Sequence, residues 1–215
     1  TVHITDQIMD QLKELRDRVD RVIHTLDLPS SPADLYEPIG YTLSNGGKRL
    51  RPTLVLVGCK IFNDNVDQAV HPAVGMELFH NFSLIHDDIM DDAPIRRGKP
   101  AVHEKWNNNV AILSGDAMMI MAYQQVLETR PDTLAAVLSI FNRTALEVCE
   151  GQQLDMEFEE RSNVSIEEYI HMIQLKTAVL LASCLQIGAL IGGATAQQAE
   201  LLYDFGLNTG IAFQL

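Results

Sequence analysis

Residues 80–97 read HNFSLIHDDIMDDAPIRR, and the fold follows from how that stretch is spaced. Phe82, Leu84, Ile85, Ile89 and Met90 are the apolar body of a helix, and a helix that apolar is normally buried. Asp87, Asp88 and Asp91 stand at i, i+1 and i+4. At about 100° per residue they span an arc of roughly 100°, so all three carboxylates leave the helix on one side. Three like charges on one arc need something positive to offset them. An oxygen-only ligand set suits Mg²⁺, which takes one or two carboxylates and completes its shell with water and substrate phosphates. His80, seven residues before Asp87, lies about 20° from it on the same wheel. Arg96 and Arg97 follow across a short Pro-containing loop, so an acidic helix end faces two guanidiniums, an arrangement suited to a metal-bound diphosphate. The bland alternative is a solvated helix end, the usual meaning of an acidic run. The apolar residues around the carboxylates count against it.

Composition narrows the remaining classes. The chain has 215 residues, 47% of them hydrophobic, enough for one sizeable domain spanning 1–215. A formal net charge of −13 opposes nucleic acid or an anionic membrane as the main partner. Cys59, Cys149 and Cys184 are scattered, odd in number and set among apolar residues, which suits reduced thiols in the cytoplasm. The most apolar run, Thr177 to Gly193, is shorter than the ~20 residues of a membrane span and contains Ser183 and Gln186, so a core helix is expected. The first helix carries charges throughout and no small-residue cleavage site, so no secretory signal is expected.

Helical periodicity runs along the chain. Ile8, Leu12, Leu15, Val19, Val22 and Leu26 alternate four and three apart, an amphipathic stripe for core or subunit interface, and Pro29 and Pro32 stop it. A second helix runs from about Asp34 to the break at Asn45-Gly46-Gly47. A third starts at Pro52 and runs through Phe62. The helix of the acidic cluster is expected from near Val66. After a short segment around Trp106 come helices over about Val110–Glu128 and Asp132–Glu160. Ser165 with Glu168, and Thr195 with Gln198, make capping boxes opening two more. Nothing alternates as a strand for long, so the expected architecture is an all-α bundle of long helices around a central cavity.

Gly46-Gly47-Lys48-Arg49-Leu50-Arg51-Pro52 puts three cations between a glycine pair and a helix start, where backbone N–H groups and the helix dipole add to the pull on an anion. The spacing is not that of a Walker A loop, and no strand precedes it. GGKRLRP, His80, LIHDDIMD followed by RRG, GDA from Gly115, GQQLD from Gly151, KT at Lys176 and FQ at Phe213, in that order, resemble the signature of the trans-isoprenyl diphosphate synthases, or polyprenyl synthetases. The resemblance covers the chain from about Gly40 onward. It implies an all-α isoprenoid-synthase fold, usually homodimeric, that condenses isopentenyl diphosphate head-to-tail with an allylic diphosphate using Mg²⁺.

By that resemblance Asp87 and Asp91, with Asp88 assisting, are the metal ligands that hold the allylic diphosphate, and Arg96 contacts the same group. Lys48, Arg51, His80 and Arg97 match positions that bind isopentenyl diphosphate. Lys176 resembles the cation on the allylic leaving group, while Thr177, Gln152 and Gln214 turn dipoles toward the developing carbocation. A threonine in a helix can instead bond back to its own backbone. The implied chemistry is electrostatic stabilisation of a departing diphosphate in a site that excludes water. The proton lost at the end goes to the departed diphosphate, so no protein general base is expected.

The pattern departs from the family in one respect and is ambiguous in another. A second aspartate-rich motif is expected just after Phe213-Gln214, and the sequence stops at Leu215, so a chain ending there is expected to be inactive. Product length is implied by bulk before the first aspartate motif, where Phe79, Phe82 and Ser83 are candidates. Wheel geometry places Ser83 about 40° and Phe82 about 140° from Asp87, whereas the family pattern weights an aromatic five positions before the motif, here Phe82. That combination resembles the short-chain enzymes that make farnesyl or geranylgeranyl diphosphate. Three rivals remain: a class I terpene cyclase, which shares the aspartate motif but needs no GGKRLRP site; a His-Asp metal phosphohydrolase, which wants more histidines; and a non-catalytic subunit of a heteromeric prenyl synthase, a class that tends to lose the aspartates.

Overall fold

The computed structural model describes residues 2–215, with side chains from Thr5 onward. The described residues form helices α1 (Val2–His24), α2 (Ala33–Ser44), α3 (Leu50–Phe62), α4 (Val70–Met90), α5 (Val102–Lys105), α6 (Asn108–Leu127), α7 (Pro131–Glu160), α8 (Ile166–Ile173), α9 (Val179–Gly192) and α10 (Ala196–Gln214). A two-residue hairpin, β1 (Ile95–Arg96) with β2 (Lys99–Pro100), lies between α4 and α5. The chain divides into two compact units. The first holds Thr1–Pro52 and His71–Glu128, the second Thr53–Val70 and Thr129–Leu215.

In the first unit α2 packs on α6, and the Ser114 hydroxyl donates to the Leu35 carbonyl at 3.0 Å. The α1 stripe buries Leu15, Val19 and Ile23, four apart, while Ile8 is 52% exposed. Leu12, Val22 and Leu26 of the stripe are half-buried, so the stripe is the covered face of α1 with its deepest burial on a four-residue step. Val66–Ala69 form a 3₁₀ turn and α4 proper begins at Val70. Pro72 therefore falls in the first α-helical turn, where its missing N–H leaves no hydrogen bond unmade.

In the second unit every residue of α9 from Val179 to Ala189 is buried, among α7, α10 and the 3₁₀ turn. A Cβ on Gly188 would stand 1.9 Å from the Val55 carbonyl oxygen, so the backbones of α9 and α3 touch there. Both capping boxes form as read, Ser165 with Glu168 and Thr195 with Gln198. Two stretches, Asn108–Leu127 and Ile166–Gly192, are long and apolar enough to cross a membrane; 83% of the apolar window in the latter is buried inside the protein, in keeping with a core helix.

α8 and α9 are not one regular helix. Gln174–Ala178 form a π-turn between them. Periodicity cannot register a single inserted residue in a run apolar on all sides.

Candidate functional site

α4 ends in a Schellman motif. The Ala93 N–H bonds to the Asp88 carbonyl at 2.9 Å and the Asp92 N–H to that of Ile89 at 3.4 Å, with Asp92 left-handed at φ 48°, a position where aspartate is tolerated in place of glycine. That closure stops the helix just past Asp91, whose N–H still bonds to the Asp87 carbonyl at 2.8 Å. Asp87 is half-buried and Asp91 exposed, one turn apart on the rim. Asp88 is different. It is 3% exposed and is taken by Arg96, whose Nε donates to Oδ1 at 2.9 Å and to Oδ2 at 3.2 Å and whose Nη2 also donates to Oδ1. The pairing holds the Arg96 guanidinium further above its ordinary range. Of the three carboxylates on the arc, Asp88 is the anchor of Arg96, and Asp87 and Asp91 are the two that could hold a metal.

The hairpin turns on Arg97 and Gly98, with φ of 53° and 77°, two successive left-handed residues as a type I′ connection requires. Arg96 on the strand points to Asp88. Arg97, at the tip, donates through Nη1 to the Gly46 carbonyl and lies 3.5 Å from Asn81 Oδ1. The tyrosine hydroxyl of Tyr41 on α2 donates to the Pro100 carbonyl at 2.9 Å and ties the hairpin down.

Arg97 reaches the loop read as an anion site. A cavity of about 440 Å³ is lined by Lys48, Arg49, Arg51, Glu77, His80 and Arg97, among others. Arg51 Nη1 donates to His80 Nε2 at 3.1 Å, and since a guanidinium has only donors, the imidazole is neutral with its proton on Nδ1. Burial, then the charges of Arg51, Arg97, Arg96 and Arg49, push the His80 pKa well down. Lys48 is exposed. The pocket thus presents Lys48, Arg51 and Arg97 as cations with a neutral imidazole beside them, a set that fits a diphosphate without any metal.

The second unit holds Lys176, Thr177, Gln152 and Gln214. Gly151 on α7 lies so close to the π-turn that a Cβ would stand 2.2 Å from the Lys176 backbone nitrogen. The same crossing places Asp155, one turn on from Gly151, in an ion pair with Lys176. Gln152 is 6% exposed on α7, Thr177 is half-buried on the π-turn, and Gln214 is exposed in the last turn of α10. Of the chain-length candidates, which lie in the first unit, Phe79 is 1% exposed and belongs to the core. Phe82 is half-buried, its ring 5.8 Å from that of Phe79 and 4.8 Å from that of His86. The Ser83 hydroxyl donates back to the His80 carbonyl at 2.9 Å.

Residues 32–215 match the family model of the polyprenyl synthetases. The chain belongs to the polyprenyl synthetase family. It is 41% identical over 210 residues to the geranylgeranyl diphosphate synthase of Methanosarcina mazei, covering 97% of this chain and 65% of that protein. A crystal structure of a geranylgeranyl pyrophosphate synthase superposes with a TM-score of 0.91 at 48% identity, over 94% of this chain and 62% of that one. The geranylgeranyl pyrophosphate synthetase of Pyrococcus horikoshii Ot3 also gives 0.91, at 40% identity, over 98% and 65%. This polyprenyl synthetase chain thus spans slightly less than two thirds of these relatives, in the all-α fold they share.

Within that family frame, three residues of these groups were not singled out from sequence, Glu77, Asn81 and Asp155, while Arg49 was read only as one of the three loop cations. Glu77 had a visible signal, a lone carboxylate inside the apolar run VGMELFHNFSLI, since buried charges need partners. Asp155 stands in the GQQLD segment but its partner lies 21 residues on, beyond the reach of any local pattern.

Proposed function

We propose that this chain forms the substrate-binding part of a short-chain isoprenyl diphosphate synthase, which condenses isopentenyl diphosphate head-to-tail with an allylic diphosphate to give farnesyl or geranylgeranyl diphosphate. Because the chain spans 65% of the Methanosarcina enzyme, the activity is assigned to a polypeptide of the relatives' full length. The observation that carries the reading is the divergence of Arg96 and Arg97. Adjacent in sequence, they join two different anion sites, Arg96 the acidic rim through Asp88 and Arg97 the basic pocket. Two diphosphate sites mean two diphosphate substrates, which a terpene cyclase has no use for.

The rim fits Mg²⁺: Asp87 and Asp91 offer hard oxygen donors one turn apart, and the charge of Asp88 is already offset by Arg96. Bound there, the metal supplies positive charge that stabilises the allylic diphosphate as it leaves. Arg96 adds a donor to that diphosphate. Lys48, Arg51 and Arg97 hold isopentenyl diphosphate, and neutral His80 keeps Arg51 aimed. Lys176 neutralises charge on the leaving group, and Gln152, Thr177 and Gln214 offer dipoles to the allylic cation. The double bond attacks that cation, and the proton then lost passes to the released diphosphate.

Incubating a polypeptide of the relatives' full length that carries this chain with radiolabelled isopentenyl diphosphate, an allylic diphosphate and Mg²⁺ tests the reading. Elongated prenyl diphosphate is expected, with turnover lowered on the order of 10²-fold or more in Asp87→Ala. Phosphate release without elongation, a cyclised hydrocarbon, or unchanged turnover in that variant would overturn it. The exposed apolar side chains of α6, Ile112, Leu113, Ile120 and Leu127, support a homodimer seated on that helix. Light scattering at monomer mass would count against it. Cys59, Cys149 and Cys184, none of them in a disulfide, support a reducing, cytoplasmic setting.

A further inference from the structure

Glu77 is 2% exposed and sits in the wall of a pocket built for anions, where a carboxylate works against the ligand. Its Oε1 accepts from Arg49 Nη1 at 2.7 Å and from Asn81 Nδ2 at 3.1 Å. Arg49 is itself buried, 4% exposed. It also donates to Asp20 Oδ1 and to the Leu43 carbonyl, both at 2.9 Å. A buried ion pair of this kind is not explained by stability, since apolar residues of similar volume often stabilise a fold as well or better.

What the pair does is visible in the backbone. Arg49 holds φ at 49°, a left-handed conformation that a non-glycine residue keeps only when its surroundings impose it. Three hydrogen bonds on one guanidinium impose it, tying Arg49 down between Lys48 and Arg51, which line the pocket with it. On the other side, Asn81 Nδ2 donates both to Glu77 Oε1 and to the Glu77 carbonyl at 2.8 Å. That fixes which end of the amide is the acceptor, and Oδ1 is left toward Arg97 Nη1 at 3.5 Å. Glu77 therefore stands between the loop of residues 46–51 and the tip of the hairpin.

We propose that Glu77 is a positioning residue for the basic pocket: by gripping Arg49 and Asn81 together it sets the placement of Lys48, Arg51 and Arg97 for a diphosphate bound without metal. This rests on reading that pocket as a diphosphate site. Glu77 also offsets the charge of Arg49, so the charges the pocket offers to a multiply charged anion are those of Lys48, Arg51 and Arg97.

The sign of one change tests the proposal. Removing a negative charge from the wall of an anion pocket strengthens anion binding by Coulomb's law alone; disturbing the placement of its cations weakens it. Inorganic diphosphate binding to the chain is measured by calorimetry in EDTA, so that the aspartate rim takes no part. Arg51→Ala is expected to abolish binding; if it does not, or the unaltered chain does not bind, the reading of the pocket fails and the proposal with it. Given that control, Glu77→Gln is expected to bind roughly tenfold more weakly, the scale on which supporting partners of ligand-holding groups act. Asn81→Ala, which leaves the charge untouched, is expected to shift affinity the same way. Equal or tighter binding in Glu77→Gln overturns the proposal, as does Asn81→Ala at wild-type affinity. Should Glu77→Gln fail to fold, Asn81→Ala decides alone.

Discussion

Lys176 and Asp155 form an ion pair at the one crossing where Gly151 lets α7 press against the backbone of the π-turn. The cation assigned to the leaving group is thus not a freely swinging surface lysine. Its ammonium is steered by a carboxylate from another helix, and the π-turn sets where its Cα stands.

That arrangement separates two variants. Lys176→Ala removes a charge acting on the departing diphosphate and is expected to lower kcat by roughly 10²–10³-fold. Asp155→Asn keeps the charge and loosens its placement, so a loss of about tenfold in kcat is expected. Steady-state kinetics on both check this; equal losses would mean that Asp155 does more than place Lys176.

His80 makes stability depend on pH. Its folded-state pKa lies well below the ordinary 6.5, chiefly from burial and then from Arg51. As pH falls through about 6.5 the unfolded chain takes up a proton that the folded chain refuses, so stability is full above that range and declines below it. The slope from this group is at most about 1.4 kcal/mol per pH unit. Urea melts from neutral to mildly acidic pH should show that component in the unaltered chain and not in His80→Gln.

Phe82 is the aromatic whose ring is only part-covered, with Phe79 behind it and His86 beside it. Truncating it opens space one turn before the aspartates. Phe82→Ala is expected to lengthen the prenyl product, read by reversed-phase chromatography. Phe79→Ala is expected instead to act on stability, by about 3–5 kcal/mol for a buried aromatic.

Gly188 tests the contact between α3 and α9. A methyl group there would meet the Val55 carbonyl at 1.9 Å, and a backbone atom cannot rotate aside. Gly188→Ala is expected to cost about 1–3 kcal/mol or more, a fall in Tm on the order of 5 °C for a chain of this size, measured by thermal melt. Unchanged Tm would mean that the two helices separate freely.

Much of this was legible in one dimension. The helix ends were, because caps act over three or four residues: Ser165 with Glu168, Thr195 with Gln198. So were the acidic rim and the basic loop as clusters of charge, because charges interrupting apolar helical runs must be matched. The π-turn was not, since a run buried on every side has no polar face against which a one-residue slip would show. Nor was the different fate of the three aspartates. Helical spacing puts Asp88 on the same arc as its neighbours and is silent about a hairpin eight residues on that folds back to claim it.

By itself, then, the sequence determined that this protein is helical, where most helices begin and stop, and where the acidic and basic side chains cluster. Those follow from interactions spanning a turn or two of chain. Only the tertiary structure decided which of those charges are available. Asp88 is spent on Arg96, Arg49 on Glu77 and Asp20, and Lys176 is held by Asp155. Each pairing closes across a distance in sequence that no local spacing encodes, and each is enforced because a charge drawn out of water must find its opposite.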